Sequence, residues 1–254
     1  MKAIVVAIQQ TLRDTFIGGP SLFWLAPAIP LLLLIPEMAQ HVAEIQIGMF
    51  ESREAARELG QSSVRWAFGY VKIAGIFLTL LAAARYWGGL REQWWNWQTV
   101  AWRPFLIGLG INVVLSAASL AIEHTVDPTT AGIASQLFTL ATLPFLLLVI
   151  GPLLGDRTMT LRRAYTKGWP ALILMVAPAA IAFGAGQWLH SLNHNWAFGA
   201  PAAVVWALMI WDAIWTALFV SCAGSALGAG YRAVLKPPTS VEDAAGDPPL
   251  AQLR

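Results

Sequence analysis

From Pro201 to Gly228 the chain reads PAAVVWALMIWDAIWTALFVSCAGSALG, and Asp212 is the one charged side chain in it. A transmembrane helix needs about 20 predominantly apolar residues. This stretch therefore spans a bilayer with length to spare, and it carries a carboxylate to membrane depth. It also contains Gly224-Ser225-Ala226-Leu227-Gly228, a GxxxG spacing that lets two helices approach closely. Packing within the chain is the first reading of Gly224 and Gly228, and dimerisation the second.

Working outward, the same criterion finds further spans near 20–36, 66–86, 104–123, 131–154 and 169–189, with the last at 201–228. Composition agrees. Of 254 residues, 57% are apolar and 12% charged, about half of the roughly 25% charge of a soluble domain, and mean hydropathy is +0.60. These values exclude a disordered chain and an ordinary soluble enzyme. The single Cys222 excludes a disulfide scaffold and a thiolate metal cluster, and a net charge of +2 gives no reason to expect nucleic acid. The expected fold is all-α: a polytopic membrane protein, a bundle of about six transmembrane helices with amphipathic interfacial helices. Residues 1–236 form a single membrane domain, and 237–254, rich in Pro and small acidic residues, form a mobile cytoplasmic tail. The first span is read as retained rather than as a signal peptide, because no small-x-small cleavage site follows it.

Lys and Arg set the orientation. Lys2, Arg13, Arg85, Arg91, Arg103, Arg157, Arg162, Arg163, Lys167, Arg232, Lys236 and Arg254 fall on one side, while Arg53, Arg57 and Arg65 on the other are offset by Glu51, Glu54 and Glu58. Both termini are expected in the cytoplasm. An internal echo fits this arrangement. Thr11-Leu12-Arg13 with Phe16, Gly19 and Pro20 parallels Thr160-Leu161-Arg162 with Tyr165, Gly168 and Pro170, each a short arginine-bearing amphipathic segment feeding a span.

The run from Leu143-Pro144-Phe145 through Gly151-Pro152 and Asp156-Arg157 to Leu161-Arg162-Arg163-Ala164-Tyr165 and Lys167-Gly168-Trp169 resembles the middle of the YciC-type six-helix bacterial inner-membrane proteins. The resemblance implies a multi-pass protein of the bacterial inner (plasma) membrane, in a family with no settled biochemical role.

Most of the thirteen tryptophans fall near span ends, where an amphipathic indole suits the headgroup region. Trp94, Trp95, Trp97 and Trp102 read as interfacial anchors on a helix lying at the cytoplasmic surface.

Two ionisable side chains lie at membrane depth, Lys72 and Asp212. Each follows a Trp-Ala pair by six residues, which puts both about 9 Å below their tryptophans. They are expected to pair, as a structural clasp first and as a relay second.

Glu37, His41 and Glu44 share a helical face, His190 and His194 have an i, i+4 spacing, and His124 follows the third span; all fall on the side opposite the termini. Imidazole and carboxylate suit zinc, iron or manganese, so these residues form a candidate metal set, weighed against plain helix capping. Ile35, Met38, Val42, Ile45 and Met49 repeat at helical spacing, and the 35–59 segment reads as an amphipathic surface or partner-facing helix.

On the sequence alone, the chain reads as a non-catalytic scaffold or accessory subunit organising partners or lipids at the envelope, with no cofactor required. Its partners are the lipid bilayer and other membrane proteins, met through the 35–59 segment or span six. The alternatives are a transporter using Lys72 and Asp212, and a metal-dependent enzyme of the outer face.

Overall fold

A computed structural model describes residues 2–125 and 128–235. Among these there is no strand. The helices are α1 (Lys2–Phe16), α2 (Gly18–Leu25), α3 (Ala28–Gln46), α4 (Arg53–Leu59), α5 (Ser63–Trp87), α6 (Trp102–Thr125), α7 (Pro128–Thr142), α8 (Leu147–Leu153), α9 (Leu161–Lys167), α10 (Trp169–Ala197) and α11 (Ala202–Val234). Six helical stretches are long and apolar enough to cross a membrane: α3, α5, α6, the run from Thr130 to Leu153, α10 and α11. The protein is an all-α polytopic membrane bundle.

The fourth stretch is interrupted. Pro144 has no amide hydrogen to continue the ladder, and residues Leu143–Leu146 tighten into a 3-10 turn between α7 and α8. The first stretch is displaced from its expected place. The helix breaks at Ala26 before Pro27, so Gly18–Leu25 forms a separate short helix, and α3 then runs through Pro36 to Gln46.

α11 is the central post. Its Gly224 and Gly228 face α5, where a Cβ on Gly224 would come within 2.6 Å of the Leu80 carbonyl oxygen, and one on Gly228 would collide with the Ala84 carbonyl. Only hydrogen fits there. The GxxxG pair is thus spent on packing inside the chain, where close backbone approach yields the dispersion contacts that hold membrane helices together.

Two poles result. α1 and α9 lie at the pole where α11 ends: Asp14 of α1 meets Arg232, and Arg163 of α9 donates to the Leu235 carbonyl. The opposite pole, called distal below, carries the α10–α11 turn and the C-terminal end of α3.

The segment expected to be an interfacial helix is instead a loop wound around Arg85. This residue is fully buried. Its Nε donates to Trp94 O (2.7 Å), Nη1 to Leu153 O (2.6 Å), and Nη2 to Asn96 O and Thr99 Oγ1 (both 2.7 Å). Carbonyls that turn towards a guanidinium are withheld from a helical ladder, so residues 91–99 form two 3-10 turns. Trp95 and Trp102 are exposed, while Trp94 and Trp97 are half-buried, Trp97 lying beneath the guanidinium.

α6 and α7 form a hairpin that meets the rest of the protein through the 3-10 turn, α8 and α9, where Tyr165 Oη donates to Ala141 O (2.6 Å). Asn112 Nδ2 donates to Phe145 O of the turn (3.0 Å).

Candidate functional site

α3 is amphipathic in the inverted sense. Glu37, His41 and Glu44 are 0–1% exposed, whereas Ile35 is 62% exposed. The expectation of a surface or partner-facing helix over 35–49 is corrected here: this segment is the second half of the first span. In hydrocarbon an apolar stripe has no reason to be covered, while a carboxylate or imidazole has a strong one. The polar stripe therefore turns into the bundle, against α5, α10 and α11.

Four helices supply the cluster. Asp212 of α11 is its centre. Oδ2 lies 3.1 Å from His41 Nε2 and 2.5 Å from His190 Nδ1, and Oδ1 accepts from Asn193 Nδ2 at 2.8 Å. His194 Nε2 lies 3.8 Å from Asp212 Oδ2. His41 Nε2 is also 3.3 Å from Glu37 Oε1, and its Nδ1 is 3.3 Å from Glu44 Oε2. α5 contributes two cations: Lys72 donates to Glu37 Oε1 (2.7 Å) and Arg65 Nε to Glu44 Oε1 (3.0 Å). Gln40 Nε2 donates to that same Glu44 oxygen at 3.0 Å.

The expected Lys72–Asp212 pair is therefore replaced by two others. α5 and α11 do pack together, but α3 supplies Glu37 to Lys72 and His41 to Asp212 at this depth. A carboxylate closer to the ammonium takes it, and Asp212 is met by two imidazoles and Asn193 instead.

Five of the six candidate ligands, Glu37, His41, Glu44, His190 and His194, are brought together, and Asp212 joins them. His124 is not among them. It lies exposed at the end of α6, in the hairpin that stands apart from α10 and α11. Nearby Glu123 accepts from Ser135 (2.8 Å), and Asp127 lies outside the described residues. The sequence reading missed Asp212 as a partner of the histidines. The available signal was the i, i+4 pair His190 and His194 facing the one acid of the next helix.

An aromatic cover closes the distal end. The Phe50 ring stands 5.4 Å from His194 and stacks on Phe198 at 6.0 Å, with Arg53 over Phe198. Gly199 N donates to Phe50 O (2.9 Å), joining the two loops. Gly48 and Gly199, at φ +80° and +74°, supply left-handed turns that a side chain resists.

The donor set suits a divalent transition ion. Three groups of ligand atoms each lie within 4.8 Å of one another: His190, His194 and Asp212; Glu37, His41 and Asp212; and His41, Glu44 and His194. Zn–N and Zn–O bonds of about 2.1 Å need donors within roughly 4.2 Å, so shifts of under an ångström suffice. Three buried atoms in the cluster, Glu37 Oε2, Gln40 Oε1 and His194 Nε2, have no hydrogen-bond partner. Orphaned buried polar atoms are costly, and His194 Nε2 would be satisfied as a ligand. Glu44 against His41 Nδ1 is the carboxylate–imidazole arrangement that orients a metal-binding histidine.

Comparison with protein-family models, with curated proteins and with solved structures finds no match for this chain.

Proposed function

We propose that this integral membrane protein is a metalloprotein whose distal pole holds a divalent transition ion on His190, His194 and Asp212 for hydrolytic, Lewis-acid chemistry. The observation that carries the reading is the convergence of these three donors from α10 and α11, with His194 Nε2 buried and unpartnered beside them. Three protein ligands leave a fourth position for water, the pattern of catalytic rather than structural zinc. An ion held there would supply Lewis acidity and the means to activate water near neutral pH. Asn193, bonded to Asp212, orients the carboxylate, and Phe50 with Phe198 limits solvent access.

The charge bias of Lys and Arg supports a distal pole on the side away from the cytoplasm, with the termini in the cytoplasm, and the resemblance to YciC-type proteins is the ground for a bacterial inner membrane. The transport alternative drew on a Lys72–Asp212 pair, and Lys72 is bonded to Glu37 instead. The scaffold alternative keeps one supporting observation: the hydrogen bonds among His41, His190, Asn193 and Asp212 already tie α3, α10 and α11 together without an ion.

Elemental analysis of detergent-purified protein separates the two. The metalloprotein reading expects one zinc, iron or manganese per chain, lost in the doubly substituted His190→Ala, His194→Ala protein. Metal-free protein that also fails to take up zinc in dialysis leaves the clasp as the cluster's role.

A further inference from the structure

The cluster holds more donors than one ion uses. Beside the group His190, His194 and Asp212 stands a second, Glu37, His41 and Asp212, and the two share Asp212 alone. A carboxylate common to two three-donor groups is the arrangement of a two-metal site, with ions about 3.5–4 Å apart. One element departs from that arrangement. Lys72 Nζ lies 2.7 Å from Glu37 Oε1, while Glu37 Oε2, fully buried, has no partner.

We infer that the Lys72 ammonium stands in for a second metal ion, occupying the Glu37 side of a site otherwise built for two and keeping it mononuclear. This rests on the metalloprotein reading above. The chemistry is that of a fixed cation: an ammonium offers three donors and one positive charge to an oxygen that a divalent ion would ligate. Local repulsion supports the same assignment: a second ion on Glu37 would stand beside the Lys72 ammonium, which lies 2.7 Å from Glu37 Oε1, like charge against like, so Lys72 and a second ion exclude one another. His41 is already oriented for ligation, because Glu44, held by Arg65 and Gln40, faces its other ring nitrogen. Lys72 is thus a residue that sets the number of ions bound, acting through Glu37.

The test is the zinc and manganese stoichiometry of the full-length protein in detergent, measured by equilibrium dialysis, for wild type, Lys72→Met and the double variant Lys72→Met, Glu37→Gln. The expected sequence is one, two and one ion per chain. With manganese, Lys72→Met should also replace the spectrum of an isolated ion by that of an exchange-coupled pair in electron paramagnetic resonance. If Lys72→Met does not fold, Lys72→Gln, which keeps a polar group against Glu37, carries the same comparison. One ion in both wild type and the Lys72 variants overturns the inference and leaves the metalloprotein reading in place. Two ions in wild type does the same. No ion in any of the proteins overturns the metalloprotein reading itself and this inference with it.

Discussion

His41 and Asp212 are 171 residues apart in the chain and 3.1 Å apart in space. Their contact joins the first membrane-crossing helix to the last, and no apolar pair could do so with equal specificity. In a bilayer lipid competes with any apolar partner, whereas a carboxylate at membrane depth has few alternatives to the imidazole placed for it. Replacing Asp212 by Asn puts an amide where His41 and His190 meet a carboxylate oxygen. The expected cost is on the order of 3 kcal/mol, because one member of a buried charged network is removed and the others are stranded. Thermal unfolding in detergent should show a lower midpoint for Asp212→Asn, and an unchanged midpoint would count against this network as a tie between α3 and α11.

Asn193 touches the proposed ion only through Asp212. Asn193→Ala should therefore keep the ion stoichiometry and weaken affinity by about 10- to 100-fold, the usual effect of losing a hydrogen bond to a metal ligand. Competition with a chelator of known affinity reads this directly. Complete loss of metal would move Asn193 into the ligand set.

Arg85 holds the 91–99 loop by its fork of donors. Arg85→Met leaves the carbonyls of Trp94 and Leu153 without their Arg85 donor, at a cost of about 1–3 kcal/mol for each group left buried. Arg85→Lys should rescue little, since an ammonium cannot reproduce the planar spread of a guanidinium. Limited proteolysis between residues 90 and 100 is the measurement, and cutting should accelerate in both variants.

Gly228→Ala forces a methyl group onto the Ala84 carbonyl and should destabilise the bundle by about 1–3 kcal/mol through overpacking. Gly184→Ala is the control. Nothing lies within 4 Å of a Cβ there, so this change should be neutral or slightly stabilising through helix propensity. Equal behaviour of the two variants would contradict the close α5–α11 approach.

At the pole where α11 ends, Asp156 fastens that end of the helix through Tyr231. Burial alone would raise its carboxyl. Hydrogen bonds from Thr158 and Tyr231, and the guanidinium of Arg163, outweigh that and hold it below its ordinary value of 3.8. The folded-state acid is the stronger one, so its contribution is complete above the ordinary carboxylate value and fades as pH falls through its own lower value. Acidification below pH 3.8 should then loosen residues 228–235 in hydrogen exchange. Asp156→Asn should loosen them at every pH and abolish the dependence.

The membrane class and six crossings were legible because a bilayer imposes a length and an apolarity that few other contexts require. Gly224 and Gly228 were legible for a related reason: their spacing states a close approach, although not with which helix. The polar cluster was half legible. His190 and His194 announce themselves by an i, i+4 spacing, and Glu37, His41 and Glu44 by a shared face. What the sequence concealed was the direction of that face. Ile35, Met38 and Val42 opposite it imply a helix with its apolar side packed inward in water and outward in lipid, and periodicity is identical in the two cases. The Lys72–Asp212 pairing failed at the same point, since equal depth on two helices does not reveal a third helix offering a nearer partner. Arg85 was read as one more cytoplasmic charge, because its carbonyl acceptors carry no signature in residue identity.

The inward-facing polar stripe of α3 also bears on how the chain is made. α3 leaves the ribosome long before α10 and α11, and at that moment Glu37, His41 and Glu44 have none of the partners those two helices provide. The nascent helix is a poor guest for lipid, so the first crossing is expected to seat fully only once Asp212 has been synthesised. A chain truncated before residue 200 should leave α3 accessible to added protease on membranes where the full-length protein protects it.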